Sequence, residues 1–303
     1  MIISSVKIIL LFVLFTADAF GHVVLMYGSH GWIGNKIKHI LIQEGHVVHD
    51  GAARLQEREK IEQEIIQYKP DYIINSAGII GKPNVDWCES HRQETIRSNV
   101  LGLINLVDIA FLHNIHVTNI ATGCIYTYDE KHPLASGIAF TEEENPNFTE
   151  SFYSKTKVLA EEIIMQYPNV LQLRVRLPVG QDLSPNSFIG KIIKYKKLVN
   201  VPNSMSVLED LLPLVPEMLE RKLLGIYNFV NPGTISHHEV IELYKKYVNP
   251  AHQYEGFSLE EHNHVMKVPR SHCHVSAQKL LNEFPNIPDV KDAMERLFKA
   301  IAK

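Results

Sequence analysis

HVVLMYGSHGWIG, residues 22–34, decides the fold. Its first half is an unbroken apolar run of strand length, and its second half carries glycines at 28, 31 and 34 before an amphipathic stretch, Trp32 to Glu44, stopped by Gly45. Strand, glycine-rich turn and helix in that order let a dinucleotide pyrophosphate approach the helix N-terminus, because missing side chains permit both the tight turn and the close contact. The cofactor set read from this turn is Gly28, Gly31, Trp32, Ile33 and Gly34.

The same alternation continues outward. A strand is expected at His46–His49, a charged helix at Gln56–Tyr68 ended by Pro70, and a third strand in DYIINSAG, 71–78, whose Ala77 and Gly78 join the cofactor set. A helix follows from about Ser90 to His113, a strand at His116–Ala121, a helix at Phe152–Gln166 and a strand at Leu171–Arg176. This pattern predicts an α/β fold, a doubly wound parallel sheet. Beyond Pro178 the alternation loosens, with one further strand at Gly225–Val230. Residues 21–178 are therefore read as mainly the cofactor-binding domain. Residues 179–303 are read as a smaller, discontinuous substrate-binding part with elements returning to the sheet.

The 303 residues, 45% hydrophobic and 21% charged with a formal net charge of −4, bury ample core and offer nucleic acid no general attraction. The lysines at 191–197 form the dense basic run. Three cysteines, Cys88, Cys124 and Cys273, have no CxxC spacing and fit neither a disulfide framework nor a thiolate zinc site. The pairs His262/His264 and His272/His274 lack a nearby ligand spacing, so no metal is expected. Residues 1–20, with a lysine, an apolar run at Ile8–Phe15 and a small-x-small pattern at Ala17–Ala19, read as a signal-like leader.

The chemistry is carried by ATGCIY, 121–126, and YSKTK, 153–157. Tyr153 and Lys157 stand one helical turn apart on one face, where an ammonium favours the phenolate and prepares the tyrosine to exchange a proton with a carbonyl oxygen. Thr122, ending the preceding strand, is placed to hydrogen-bond the same oxygen, and Cys124 follows two residues later. After the second strand, Arg54 would neutralise the extra phosphate of NADPH, whereas Asp50 would instead accept from an NADH ribose; NADPH is the favoured reading.

From about residue 22 the chain resembles the extended short-chain dehydrogenase/reductases. YGSHGWIG, KPNVDWCESHRQETIRSNV, ATGCIYTYD, SFYSKTK, LRVRLP and PNSMSVLEDLLP are similar to the plant-type UDP-4-keto-6-deoxy-glucose 3,5-epimerase/4-reductases, close to the dTDP-4-dehydrorhamnose reductases. The resemblance implies reduction by Thr122, Tyr153 and Lys157. It adds an acid/base pair for epimerisation, Cys124 and, across a one-residue gap, Lys191. It places substrate contacts at Asn84, Asp86 and Trp87, at Asn203, Ser204 and Met205, and at Arg270 near the diphosphate. After Arg270 the family favours asparagines and an acidic residue where this chain reads His272-Cys273-His274-Val275-Ser276.

The implied activity is conversion of a nucleotide-linked 4-keto-6-deoxy-glucose to the L-rhamnose form. A 4-reductase acting on a previously epimerised sugar, and an NADP-binding regulatory subunit without turnover, are the alternatives; Cys124 disfavours the former and the intact catalytic set disfavours the latter. UDP is favoured over dTDP by resemblance alone, a homodimer is the usual arrangement at this size, and the family points to the cytoplasm while the leader points to the secretory pathway and ER lumen.

Overall fold

The computed structural model describes residues 21–303; the signal-like leader, residues 1–20, lies outside them. The first half runs β1 (Val23–Tyr27), α1 (Trp32–Gln43), β2 (Val47–Asp50), α2 (Arg58–Tyr68), β3 (Tyr72–Asn75), α3 (Trp87–Ser90) and α4 (Arg92–Ile96). A π-turn at Arg97–Gly102 leads into α5 (Leu103–Leu112), followed by β4 (His116–Thr122), α6 (Phe152–Ile164) and β5 (Val170–Val175). The second half adds α7 (Phe188–Ile192) and the strands β6 (Lys197–Val199), β7 (Pro202–Asn203), β8 (Gly225–Phe229), β9 (Ile235–Ser236) and β10 (Glu255–Phe257), with further helices between and after them.

Six parallel strands form the sheet in the order β2-β1-β3-β4-β5-β8, while β6 pairs with β10 and β7 with β9 in two small sheets. The doubly wound, Rossmann-like parallel sheet expected from the alternation is the fold observed. Its inner strands are buried on both faces, which is why β1 reads as a continuous apolar run. Val24 and Met26 point to a layer formed by α1 and helices near residues 208–219, whereas Leu25 and Tyr27 point to the layer of α2, α5 and α6. A third apolar cluster, around Ile189, Met205, Val240 and Phe298, fills the second half of the chain.

Local chemistry sets the element ends. Gly45 at φ +89° terminates α1, and Lys69 in the left-handed region, followed by Pro70, terminates α2. The helix Arg92–Leu112 is long and apolar enough by composition to cross a bilayer, yet half of its apolar window is buried inside the fold, as befits a core helix. β1 and β3 are neighbours although β2 lies between them in sequence, so the chain reverses direction there and a crevice opens beyond the C-terminal ends of those strands.

A buried polar ladder ties the α6 layer to the sheet. Asn75 Nδ2 donates to Asn119 Oδ1 at 2.8 Å, Asn119 Nδ2 to Gln172 Oε1 at 2.6 Å, and Gln172 Nε2 to Glu161 Oε2 at 2.9 Å. Glu161 also takes the Arg174 guanidinium through both carboxylate oxygens, and Arg174 Nη1 donates to the Tyr126 hydroxyl at 3.0 Å. Arg174 is 2% exposed, so removal of its partner leaves an uncompensated buried charge. Glu161→Ala is expected to cost about 3–5 kcal/mol in chemical denaturation, and adding Arg174→Met is expected to recover most of that loss. A cost under ~1 kcal/mol, the range of an exposed pair, would contradict this account.

Candidate active site

The crevice continues into one cavity of about 1540 Å³ that runs from the glycine turn across the ends of β3, β4 and β5 to α7 and the segment 257–272. At its cofactor end, Gly28 adopts φ +75°, and a Cβ there would stand 2.5 Å from Ala77 N. A Cβ on Gly34 would stand 2.2 Å from Gly28 O and 2.4 Å from Ser76 Oγ. Both positions therefore require glycine, and their bare backbones form the cradle that a pyrophosphate needs. Gly31, the residue before α1, brings no side-chain cap, leaving first-turn N–H groups for an anion. Gly31, Trp32, Ile33, Gly34, Ala77 and Gly78 line the cavity, with Gly28 beneath them. The Trp32 indole is fixed by Asp182 Oδ2 at 2.7 Å.

Arg54 stands outside the cavity on the exposed turn after β2, and its guanidinium makes no ion pair among the described residues. Asp50 has its two oxygens taken by Lys38 Nζ at 2.8 and 2.7 Å. Desolvation works to raise the Asp50 carboxyl, but Lys38 and Ser29 outweigh it and hold the group below the usual carboxylate range.

The reacting end brings Thr122, Cys124, Tyr153, Lys157 and Lys191 to the same cavity. Thr122 Oγ1 accepts from Cys124 N at 3.1 Å, and Ser154 Oγ donates to Cys124 O at 2.7 Å, so the turn carrying the thiol is pinned to both β4 and α6. Ser151 caps α6 by accepting from Ser154 N, which fixes where Tyr153 enters the cavity. Lys191, on α7, is half-buried while Lys194, Lys196 and Lys197 are exposed. Burial lowers the Lys191 ammonium and the charge of Cys124 opposes that shift, so the two groups sense each other across the cavity.

The sequence expectation of a phenol lowered by Lys157 is corrected here. Burial dominates, pushing the Tyr153 phenol well above its ordinary value against the opposing effect of Thr122. Burial also pushes Lys157 down to about 8, partly offset by Glu161 and Cys88. Tyr153 is thus held as a neutral proton donor, the form that protonates a developing alkoxide.

On the substrate side, Asn84, Asp86 and Arg270 line the cavity, and Arg270 Nη1 pairs with Asp86 Oδ1 at 2.7 Å across its mouth. Trp87, Asn203, Ser204 and Met205 are not among the residues that line it. Trp87 stacks on His91 with ring centroids 3.8 Å apart. Asn203 and Ser204 are fully buried brackets: Asn203 Oδ1 accepts from Arg176 and from Cys273 N, and Ser204 Oγ accepts from Val275 N. Met205 packs in the third apolar cluster.

In the departing segment, His272 lines the cavity, Cys273 is buried behind it, and burial among His237, His262 and Arg176 takes His272 down to about 2. Among the described residues no group of three or more His, Cys, Asp or Glu stands together as a metal site.

Two residues of this site escaped the sequence reading. Asn99, within the π-turn, exchanges hydrogen bonds with Ile79 N and O at 2.8 Å each, holding the strand-end loop beside Lys157. Arg176, fully buried at the end of β5, contacts Cys124. A π-turn leaves no mark in hydrophobic periodicity, although an Asn inside an apolar helix is a weak signal.

A parallel sheet with a glycine cradle at its switch point, joined to Thr, Tyr and Lys in one cavity, defines a nicotinamide-nucleotide enzyme of the short-chain dehydrogenase/reductase type. The chain belongs to the NAD dependent epimerase/dehydratase family, whose model matches residues 24–195. A trifunctional UDP-glucose 4,6-dehydratase/UDP-4-keto-6-deoxy-D-glucose 3,5-epimerase/UDP-4-keto-L-rhamnose-reductase of Arabidopsis thaliana is 49% identical over 271 residues, 89% of this chain and 40% of that protein. This chain therefore spans less than half the length of that relative. A bifunctional dTDP-4-dehydrorhamnose 3,5-epimerase/dTDP-4-dehydrorhamnose reductase of the same plant is 48% identical, covering 89% of this chain and 90% of that protein. The crystal structure of the L780 UDP-rhamnose synthase from Acanthamoeba polyphaga mimivirus superposes with a TM-score of 0.88 at 31% identity, covering 92% of this chain and 99% of that one.

Competitive acetylation across pH is expected to give Lys157 a midpoint near 8, below the ~10.4 of a surface lysine. A midpoint at the surface value would contradict the dominance of burial.

Proposed function

We propose that this protein epimerises carbons 3 and 5 of UDP-4-keto-6-deoxy-glucose and reduces carbon 4 to give UDP-L-rhamnose, using NADPH. The observation carrying this reading is the convergence of Thr122, Tyr153 and Lys157 with Cys124 and Lys191 on one cavity. A plain reductase needs the first three; the added thiol and ammonium supply a second acid/base pair. The names of the relatives support the same pair of activities, and the mimiviral and trifunctional relatives support UDP.

In the proposed reaction the Thr122 hydroxyl and Tyr153 phenol hold the 4-keto oxygen. That carbonyl acidifies the hydrogens on carbons 3 and 5, so one member of the Cys124/Lys191 pair removes a proton and the other returns one from the opposite face. Gly28, Gly31 and Gly34 would hold NADPH, whose nicotinamide would supply the hydride for carbon 4. Tyr153 gives its proton to the oxygen, and Lys157 supports the charge that the phenol then carries. Fixed donors at that oxygen stabilise the developing charge without reorganisation. Asp86 and Arg270 stand at the substrate mouth, where the guanidinium suits a diphosphate bidentately.

Tyr153→Phe is expected to lower NADPH oxidation by about 10²–10⁴-fold, the range of a general acid, while exchange at carbons 3 and 5 is slowed less and stays measurable, because Thr122 still holds the enolate oxygen. Cys124→Ala is expected to abolish that exchange while reduction of the pre-epimerised 4-keto-rhamnose substrate persists. Simultaneous loss of both activities in each folded variant would overturn the division of labour. Because Lys38 occupies Asp50 and Arg54 is free to meet a 2′-phosphate, Arg54→Gln is expected to raise KM for NADPH about tenfold, the loss of one charge-assisted contact, and to leave KM for NADH nearly unchanged. Equal effects on the two cofactors would argue against Arg54 as the phosphate ligand.

A further inference from the structure

Arg174 and Arg176 follow one another at alternate positions at the end of β5, and both are buried, at 2% and 0% exposure. Their compensation differs. Arg174 has Glu161, whereas no carboxylate lies within ion-pair distance of Arg176 among the described residues. Arg176 Nη1 donates to Ser271 Oγ at 2.9 Å and Gly123 O at 3.4 Å, and Nη2 to Ser271 O at 3.0 Å and to Asn203 Oδ1. Its Nε has no hydrogen-bond partner.

A buried guanidinium surrounded only by neutral acceptors carries an unpaid desolvation cost. Three groups near it can become anions: burial holds the Tyr128 phenol and the Cys273 thiol neutral, at about 12 and about 11, and the third is the thiol of Cys124, whose Sγ lies 3.6 Å from Nη1 and which opens onto the cavity. Asn203 and Ser271 clamp the guanidinium so that this edge faces the sulfur. The other titratable groups that sense Cys124 are Tyr153 from α6, Lys191 from α7 and Cys273 from the segment behind it. Tyr153 and Cys273 are held neutral by burial, with Cys273 pushed up to about 11, and Lys191 stands across the cavity rather than in contact.

We infer that Arg176 is a positioning residue that serves as the fixed counter-charge of a Cys124 thiolate, which assigns the base role in epimerisation to Cys124 and the acid role to Lys191. This inference rests on the proposed reading of those two residues as the epimerising pair. The carbon–hydrogen bond beside the keto group breaks, its proton forms the S–H bond, and the electron pair moves into the enolate, whose oxygen lies at Tyr153 and Thr122. An N–H bond of the Lys191 ammonium then breaks as its proton joins the opposite face of the carbon. Proton exchange with water restores thiolate and ammonium before the second centre reacts.

Iodoacetamide labelling of the full chain, followed on the Cys124 peptide by mass spectrometry, tests this, since the thiolate is the species that displaces iodide. In the wild type the rate at pH 7 is expected within about threefold of that at pH 10, whereas an unassisted thiol is only a few per cent thiolate at pH 7 and would be slower by about thirtyfold. Arg176→Gln, checked for folding by NADPH binding, is expected to label at least about tenfold more slowly at pH 7 and to converge with the wild type at pH 10. Arg176→Lys is expected to recover part of the loss at pH 7. A merely structural arginine would change labelling equally at both pH values.

A wild-type rate that falls about thirtyfold between pH 10 and pH 7, or an Arg176→Gln profile of unchanged shape, would overturn the inference. The wild-type arm needs no variant to fold. Arg176-dependent labelling without deuterium uptake at carbons 3 and 5 would overturn the epimerase reading instead, so the two failures are distinguishable.

Discussion

The Glu161 carboxylate is the point on which the rest of the molecule turns. It receives the Arg174 guanidinium and the Gln172 amide, and through Gln172 it continues a chain of buried side-chain amides across β5, β4 and β3. That chain crosses three neighbouring strands at paired positions, Asn75 opposite Asn119 and Asn119 opposite Gln172. Glu161 is also one helical turn beyond Lys157 on α6 and opposes the lowering of its ammonium. A network satisfied at every member gives rigidity that apolar packing alone does not specify.

From that anchor the site follows by short links. α6 carries Ser151, Tyr153, Ser154 and Lys157; Ser154 reaches back to the Cys124 carbonyl, and Asn99 reaches forward to Ile79 beside Lys157. β5 contributes Arg174 to the ladder and leads straight into Arg176, which faces the opposite need. Arg174 is neutralised and structural. Arg176 is left with neutral acceptors and the Cys124 sulfur, which is why the proposed thiolate gives this strand end a chemical as well as a packing role. Burial that costs stability on one side of Glu161 thus becomes electrostatic preorganisation on the other.

Much of this was legible in the sequence because certain residues admit few alternatives. Gly28 and Gly34 had to be glycines because a Cβ at either would stand within 3 Å of another chain segment, and the Tyr153/Lys157 spacing fixed a shared helical face. The alternation of apolar runs and amphipathic stretches gave the parallel sheet for the same reason: strands covered on both faces lose their polar positions. What stayed hidden depended on burial. The family resemblance placed Asn203 and Ser204 at the substrate, and their letters carry no sign of the buried backbone that they bracket. The direction of the Tyr153 shift depended on desolvation outweighing the Thr122 hydrogen bond, and the isolation of Arg176 on the absence, among the described residues, of a carboxylate from segments far apart in sequence.

The central claim is that one cavity performs both epimerisation and reduction. Incubation with UDP-4-keto-6-deoxy-glucose and NADPH in deuterated water, followed by NMR of the sugar, tests it most directly. The expected product is UDP-L-rhamnose carrying deuterium at carbons 3 and 5, with NADPH consumed in equal amount. Folded, NADPH-binding protein that yields a reduced sugar without deuterium at those carbons, or no product at all, would contradict it.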